Sequence, residues 1–228
     1  MRKGRGRRAG RFATPIWRRL WYILVLHPTN WLFLALSALV LVPNYPYYVT
    51  FFYTGLGIFF LCLSGRENKD LEYTVALPVE KRDVVRARIL VALLLEAVQM
   101  LLVGLFVAVS QSALKQKNLV GMDANLSLLG LSLPMLGLFN AVFFGLYFKN
   151  PVKVGKAFGI ASIAIAAYMV AAETCAHALP FVRDVLDTPD PQHLTAKLVT
   201  LFLGLAAFVA LTVITLKRSE KNFEKQDL

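Results

Sequence analysis

Residues 89–110 read ILVALLLEAVQMLLVGLFVAVS. The run holds one carboxylate, Glu96, one amide, Gln99, and otherwise apolar, glycine or small residues. At about 1.5 Å of rise per residue it reaches across the roughly 30 Å of a bilayer's hydrocarbon core. A run this long and this apolar predicts a membrane-spanning helix, and the rest of the chain repeats the pattern. Trp31–Val42 with its flanks, Tyr47–Ser64, Leu126–Phe148, Ala157–Leu179 and Leu194–Leu216 are the other apolar segments, separated by short charged ones. With Ile89–Ser110 they make six expected spans. The first is short: it either draws on Pro43–Tyr45 or starts near Leu20 and kinks at Pro28. An Asn44-Tyr45-Pro46 turn separates it from the second.

The composition agrees. Of 228 residues, 57% are hydrophobic and 17% charged, and mean hydropathy is +0.57. Soluble domains are about 45–50% apolar even with glycine counted and about 25% charged, so both a disordered chain and a soluble globule are excluded as starting points. Cys62 and Cys175 sit inside apolar runs, where no disulfide framework or zinc spacing is formed. The fold class expected is an all-α polytopic membrane protein, with six transmembrane helices and an N-terminal amphipathic interface helix.

That interface helix is read from Thr14-Pro15, an N-cap followed by proline at the first helical position. Ile16, Trp17, Leu20, Ile23 and Leu24 fall on one face and Arg18, Arg19 and Tyr22 opposite, with Trp17 and Trp21 at headgroup depth. Residues 1–13 form a basic tail, and residues 14–228 a single transmembrane domain.

The net charge of +11 is one-sided. An even number of spans puts both termini on one face. That face, with the loops after spans two and four, carries 21 of the 25 Lys and Arg residues. By the positive-inside rule it is cytoplasmic. The Arg-rich start then reads as a topology determinant that also meets anionic lipid. No aromatic-interleaved basic surface accompanies it, so no nucleic-acid partner is expected.

No catalytic set is visible: there is no nucleophile elbow, no carboxylate pair and no phosphate-binding loop, since Gly155-Lys156 is followed by Ala157 and preceded five residues earlier by Asn150. No cofactor or metal is expected. Glu173 and His177 stand four apart near the outer end of span five, where an ion pair or hydrogen bond is the default and a metal needs further ligands. Glu96 and Gln99, three apart, share a helix face. A carboxylate at that depth points into the bundle, as a pathway-lining group or an interhelix hydrogen bond. Gly137, Ala141 and Gly145 repeat every four residues, a close-packing seam within the chain or towards a second copy. Residues 181–186 offer a short interfacial helix or a plain surface loop, and the tail after Leu216 reads as a solvated helix end.

The most informative polar segment is the loop 65–88, GRENKDLEYTVALPVEKRDVVRAR. It is too long for a plain connection, predicts a short helix from Glu67 to Val75, and breaks at Pro78. Its charges flank an apolar knob, Leu77 and Val79, a form suited to docking a soluble partner or, equally, to a solvated loop.

This segment resembles the permeases of type-2 ATP-binding-cassette (ABC) transporters, in their small six-span bacterial branch. Glu67, Asn68, Asp70, Leu77-Pro78-Val79, Arg82 and Val84-Val85 match that branch's pattern, while Ala76 replaces a common serine. The upstream run NYPYYVTFFYTGLGIFFLCLSG, residues 44–65, is similar too, and the likeness extends over residues 29–111. The resemblance implies a permease subunit of an ATP-driven exporter in a bacterial plasma membrane, both termini cytoplasmic. It implies a separate ABC ATPase subunit, docked through Arg66, Glu67, Asn68, Asp70, Leu77, Pro78, Val79 and Arg82, and a second permease subunit, identical or not. An ATP-independent carrier and a non-transporting scaffold or immunity protein are the competing functions. A carrier predicts inverted repeats, and residues 1–114 and 115–228 show none.

Overall fold

The computed structural model describes residues 28–70, 80–114 and 117–226. Among the described residues the regular structure is all helical. Helix α1 spans Pro28–Ala35 and tightens into a 3-10 stretch, Leu36–Leu41. Then come α2 (Tyr48–Glu67), α3 (Lys81–Val109, with a π turn Ser110–Leu114), α4 (Leu126–Tyr147), α5 (Val154–Ala178, after a 3-10 turn Pro151–Lys153) and α6 (Leu194–Glu224).

Five of these are long and apolar enough to cross a membrane; the apolar stretch Trp31–Leu41 is shorter. The expected interface helix and the basic tail lie outside the described residues, as does any start of the first span before Pro28. The third helix begins at Lys81, earlier than the apolar run starting at Ile89, because Asp83, Val84 and Val85 continue the helix through the charged stretch. A segment of 29 residues is about 44 Å long, so its charged first two turns lie beyond the hydrocarbon. The last helix, with 31 residues, overshoots at the same end.

Helix α4 is the centre of the bundle and packs most extensively on α6. Pro134 lies inside it and has no N–H, so the carbonyl of Gly130, four residues earlier, loses its intrahelical donor. Gly204 of α6 sits against that carbonyl: a Cβ on Gly204 would fall 1.9 Å from the Gly130 oxygen. Only glycine permits this approach, of the kind in which a Cα–H faces a carbonyl. Aromatic side chains fill the α4 interior: Phe139, Phe143 and Tyr147 stack in sequence at 5.2 and 5.8 Å, and Phe148 meets Phe223 of α6 at 5.5 Å.

The end of the bundle opposite the loop 65–88 is closed by a polar network. Asn125 caps α4, accepting from the Leu128 N–H at 3.0 Å, and its amide donates to the carbonyls of Leu186 and Thr188. Lys197, fully buried in the first turn of α6, donates to the Thr188 carbonyl at 2.5 Å and pairs with Asp190 at 2.7 Å. Asp187 accepts the Asp123 N–H at 2.6 Å, and Asp123 accepts the Asn118 N–H at 2.6 Å. Asn118 in turn donates to the carbonyl of Tyr45 at 2.9 Å, and Asn44, at φ 56°, accepts the Leu119 N–H. Five connections and helix ends are thereby tied together. The segment expected as a short helix or plain loop forms a π turn, Val182–Leu186, whose Leu186 is buried.

Candidate functional site

The face of interest is the end where the loop 65–88 leaves and rejoins the bundle. Helix α2 stops at Glu67. The N–H of Asn68 returns to Ser64, and Lys69 adopts a left-handed conformation, φ 55°. Glu67 is the last residue of α2, a turn at Asn68–Lys69 follows and Asp70 is helical again; the rest of the helix expected from Glu67 to Val75 lies outside the described residues. Arg66 lies 3.7 Å from Glu67 and donates to the Val152 carbonyl at 3.3 Å, so the exit of the loop touches the turn before α5. Leu77, Pro78 and Val79 lie outside the described residues.

Arg88 joins the two ends of the loop. It projects from α3, donates to the hydroxyl of Tyr147 on α4, lies 5.7 Å over that ring and pairs with Asp70 at 3.8 Å. Gly65 makes room for it, since a Cβ there would stand 3.1 Å from both terminal guanidinium nitrogens. The positive group also faces the carbonyl end of α2, where a cation is favoured. One side chain thus contacts α2, α3 and α4 where the loop is anchored. Sequence reasoning counted Arg88 only as a basic residue; its place eight before Glu96, at the lower edge of an apolar run, was the available signal.

The loop's re-entry is held by the C-terminal end of α6. Arg82 binds Glu224, Arg86 binds Glu220 at 2.6 Å, and Lys81 donates to the Gln226 carbonyl at 2.5 Å. Asn222 donates to the Gly145 carbonyl at 3.0 Å and Gln226 to that of Lys149 at 3.0 Å. The tail after Leu216 is not the solvated helix end expected: Ser219 and Phe223 are buried, and its carboxylates zip to α3. The reason is the common overshoot of α3 and α6, which lines up opposite charges at i, i+4 steps on both helices. Arg82, expected to face a partner, is half-exposed and already bound within the chain.

Deeper in the bundle, the Glu96 carboxylate accepts the Asn140 amide at 2.9 Å on both oxygens, and the Gln99 amide donates to the Thr50 carbonyl at 2.8 Å. Glu96 is a link from α3 to α4 and Gln99 a link from α3 to α2, and all four residues are buried. Glu173 accepts the Met122 N–H at 3.0 Å, so its hydrogen bond runs to the loop before α4. The seam residues point inward too. A Cβ on Gly137 would meet Leu211 at 3.0 Å, Gly145 faces Arg218, and Ala141 between them is half-buried. Among the described residues no group of three His, Cys, Asp or Glu side chains is placed to hold a metal ion.

A multi-helix bundle with a charged, internally tied loop at one end invites comparison with transport proteins. The family model described as ABC-2 family transporter protein matches residues 21–223, nearly the whole chain. The chain belongs to the ABC-2 transporter family. Neither the comparison with curated proteins nor that with solved structures finds a match. As an ABC-2 protein it is a multi-pass membrane permease component of an ABC transporter, and the family implies association with an ABC ATPase subunit. Within this ABC-2 chain, the loop between α2 and α3 is the segment whose two ends are tied to most of the bundle.

Proposed function

We propose that this chain is the membrane-spanning permease subunit of an exporter powered by ATP hydrolysed on a separate ABC ATPase subunit. The observation that carries the reading is the family match over residues 21–223. In this reading Trp31–Leu41, extended by its flanks, completes a sixth span, both termini are cytoplasmic, and the membrane is a bacterial plasma membrane. Two permease subunits, identical or different, enclose the pathway, and the chain itself is not an enzyme. The loop 65–88 docks the ATPase through Arg66, Glu67, Asn68, Asp70, Leu77, Pro78, Val79 and Arg82. Support for a lever comes from Arg88, which ties Asp70 at the loop's exit to Tyr147 on α4. Displacing the loop would load α4, and through the Gly130–Gly204 contact α6. The cargo is left open: apolar surface is broad and the intramembrane charges are few.

The test is association. The full chain, purified with an ATPase carrying a phosphate-binding loop, should form a stable complex, and replacing Leu77-Pro78-Val79 with Gly-Ser-Gly should abolish it while the chain still elutes as folded protein. A folded chain that binds no such ATPase, or binds it equally well without the knob, contradicts the proposal.

A further inference from the structure

Between the end of α4 and the start of α5 lies an open cleft of about 250 Å³. Lys149, Asn150, Lys153 and Lys156 line it on the polar side, and Leu146 and Ile160 on the apolar side. The connecting sequence, KNPVKVGK at 149–156, contains no acidic residue. Among the described residues none of the three ammonium groups is within ion-pair distance of a carboxylate. This contrasts with Arg82, Arg86 and Arg88 at the same end, each of which has a carboxylate partner.

The chain enters α5 through the 3-10 turn Pro151–Lys153, in which the Lys153 N–H donates to the Asn150 carbonyl at 3.1 Å. Gly155 and Gly159 have no atom within 4 Å of where a Cβ would be, leaving the backbone of the first turns open on that side. Three lysines around one cleft, none with a carboxylate at ion-pair distance among the described residues, attract a phosphate. The apolar side of the cleft continues outward along α5, where Ile160 is 40% and Ile163 72% exposed. Charge is gathered at one end of α5, and an exposed aliphatic strip runs from it along the helix.

We infer that this cleft binds the phosphate of an anionic phospholipid, with Lys149, Lys153 and Lys156 around the headgroup and an acyl chain along Ile160 and Ile163. A basic pocket between helices at the membrane surface is suited to such headgroups. The assignment to the cytoplasmic leaflet rests on the proposed topology; the binding itself does not.

The full chain, delipidated in uncharged detergent, is titrated with phosphatidylglycerol or phosphatidylcholine and bound lipid is read by native mass spectrometry. Each lysine near an anionic headgroup is worth about fivefold in affinity, so K149Q/K153Q/K156Q should bind phosphatidylglycerol on the order of a hundredfold more weakly, and K156Q alone about fivefold. K221Q/K225Q, at the same end but outside the cleft, should bind as the wild type does. Equal binding of the two lipids, or equal loss in K221Q/K225Q, overturns the inference. Complete displacement by millimolar inorganic phosphate overturns the lipid assignment in favour of a soluble phosphate site. Unchanged phosphatidylglycerol affinity in the triple variant also overturns the inference. The readout needs neither ATPase nor transport, so its failure is separable from failure of the permease reading.

Discussion

Glu96 shows how one side chain is constrained by its depth. A carboxylate buried in hydrocarbon requires a partner, and the Asn140 amide is the one that α4 supplies. Glu96→Gln keeps an oxygen for that amide and should leave the thermal midpoint in detergent nearly unchanged. Glu96→Ala leaves the amide buried and unpaired, at a cost of about 1–3 kcal/mol. Equal destabilisation by both would show that the charge, not the hydrogen bond, matters. The polar network at the end opposite the loop 65–88 makes a prediction in pH. Burial pushes the carboxyls of Asp123 and Asp187 above their ordinary range, opposed by the backbone N–H groups of Asn118 and Asp123 respectively. The native state keeps those protons where the unfolded chain has released them, so their contribution is greatest below the unfolded value near 3.9 and is lost as pH rises through the native values. Acidifying from neutral pH towards about pH 4 should therefore raise the thermal midpoint of the wild type relative to D123N/D187N. A difference that does not change with pH contradicts this. Little of the network was legible in the sequence. Lys197 reads as one more outward charge, because its partners Thr188 and Asp190 lie across a turn whose path no periodicity reveals. Glu173 has an obvious neighbour at i+4 in His177, yet it bonds to Met122, 51 residues away.

Among elements, the α4–α6 pair depends on a proline and two glycines. The four-residue repeat of Gly137, Ala141 and Gly145 is visible in the sequence because it recurs on one helix. The tightest contact is not, since Gly130 and Gly204 are single residues on separate helices and only Pro134 marks the freed carbonyl. Gly204→Ala places a methyl where a backbone oxygen stands, 1.9 Å away, and should destabilise the bundle by about 3 kcal/mol or more. Gly137→Ala meets Leu211 at Cδ1 (3.0 Å) and Cβ (3.2 Å), a milder approach than at Gly204, and should cost about 1–2 kcal/mol. Thermal unfolding of the two variants in detergent checks the order; a reversed order would mean that α4 and α6 do not cross at Gly130. The five long helices were legible from apolar runs of spanning length, whereas the sixth expected span is met only by the shorter stretch Trp31–Leu41. Helix ends were less so: α3 begins at Lys81 because its charged turns find Glu220 and Glu224 on α6, a pairing over more than a hundred residues of chain.

At the scale of the molecule, the asymmetry of charge and the overshoot of α3 and α6 define one working face. On it Arg82, Arg86 and Arg88 are spent on internal ties at the ends of the loop 65–88, whereas Lys149, Lys153 and Lys156 have no carboxylate at ion-pair distance among the described residues. Large apolar side chains such as Phe202 and Leu203 remain exposed on α6, as expected of a helix that faces lipid or a second subunit. The central claim is that the loop transmits the ATPase's motion to the bundle. It is tested most directly by ATP hydrolysis of the reconstituted complex in proteoliposomes, wild type against Glu67→Lys/Asp70→Lys. Because opposed charges at such a contact fix register more than they add affinity, with the Leu77-Pro78-Val79 knob holding the partner, the account predicts that the variant keeps its ATPase bound but loses the stimulation of hydrolysis that the wild-type permease confers. Unchanged stimulation, at equal expression and equal ATPase association, would contradict it.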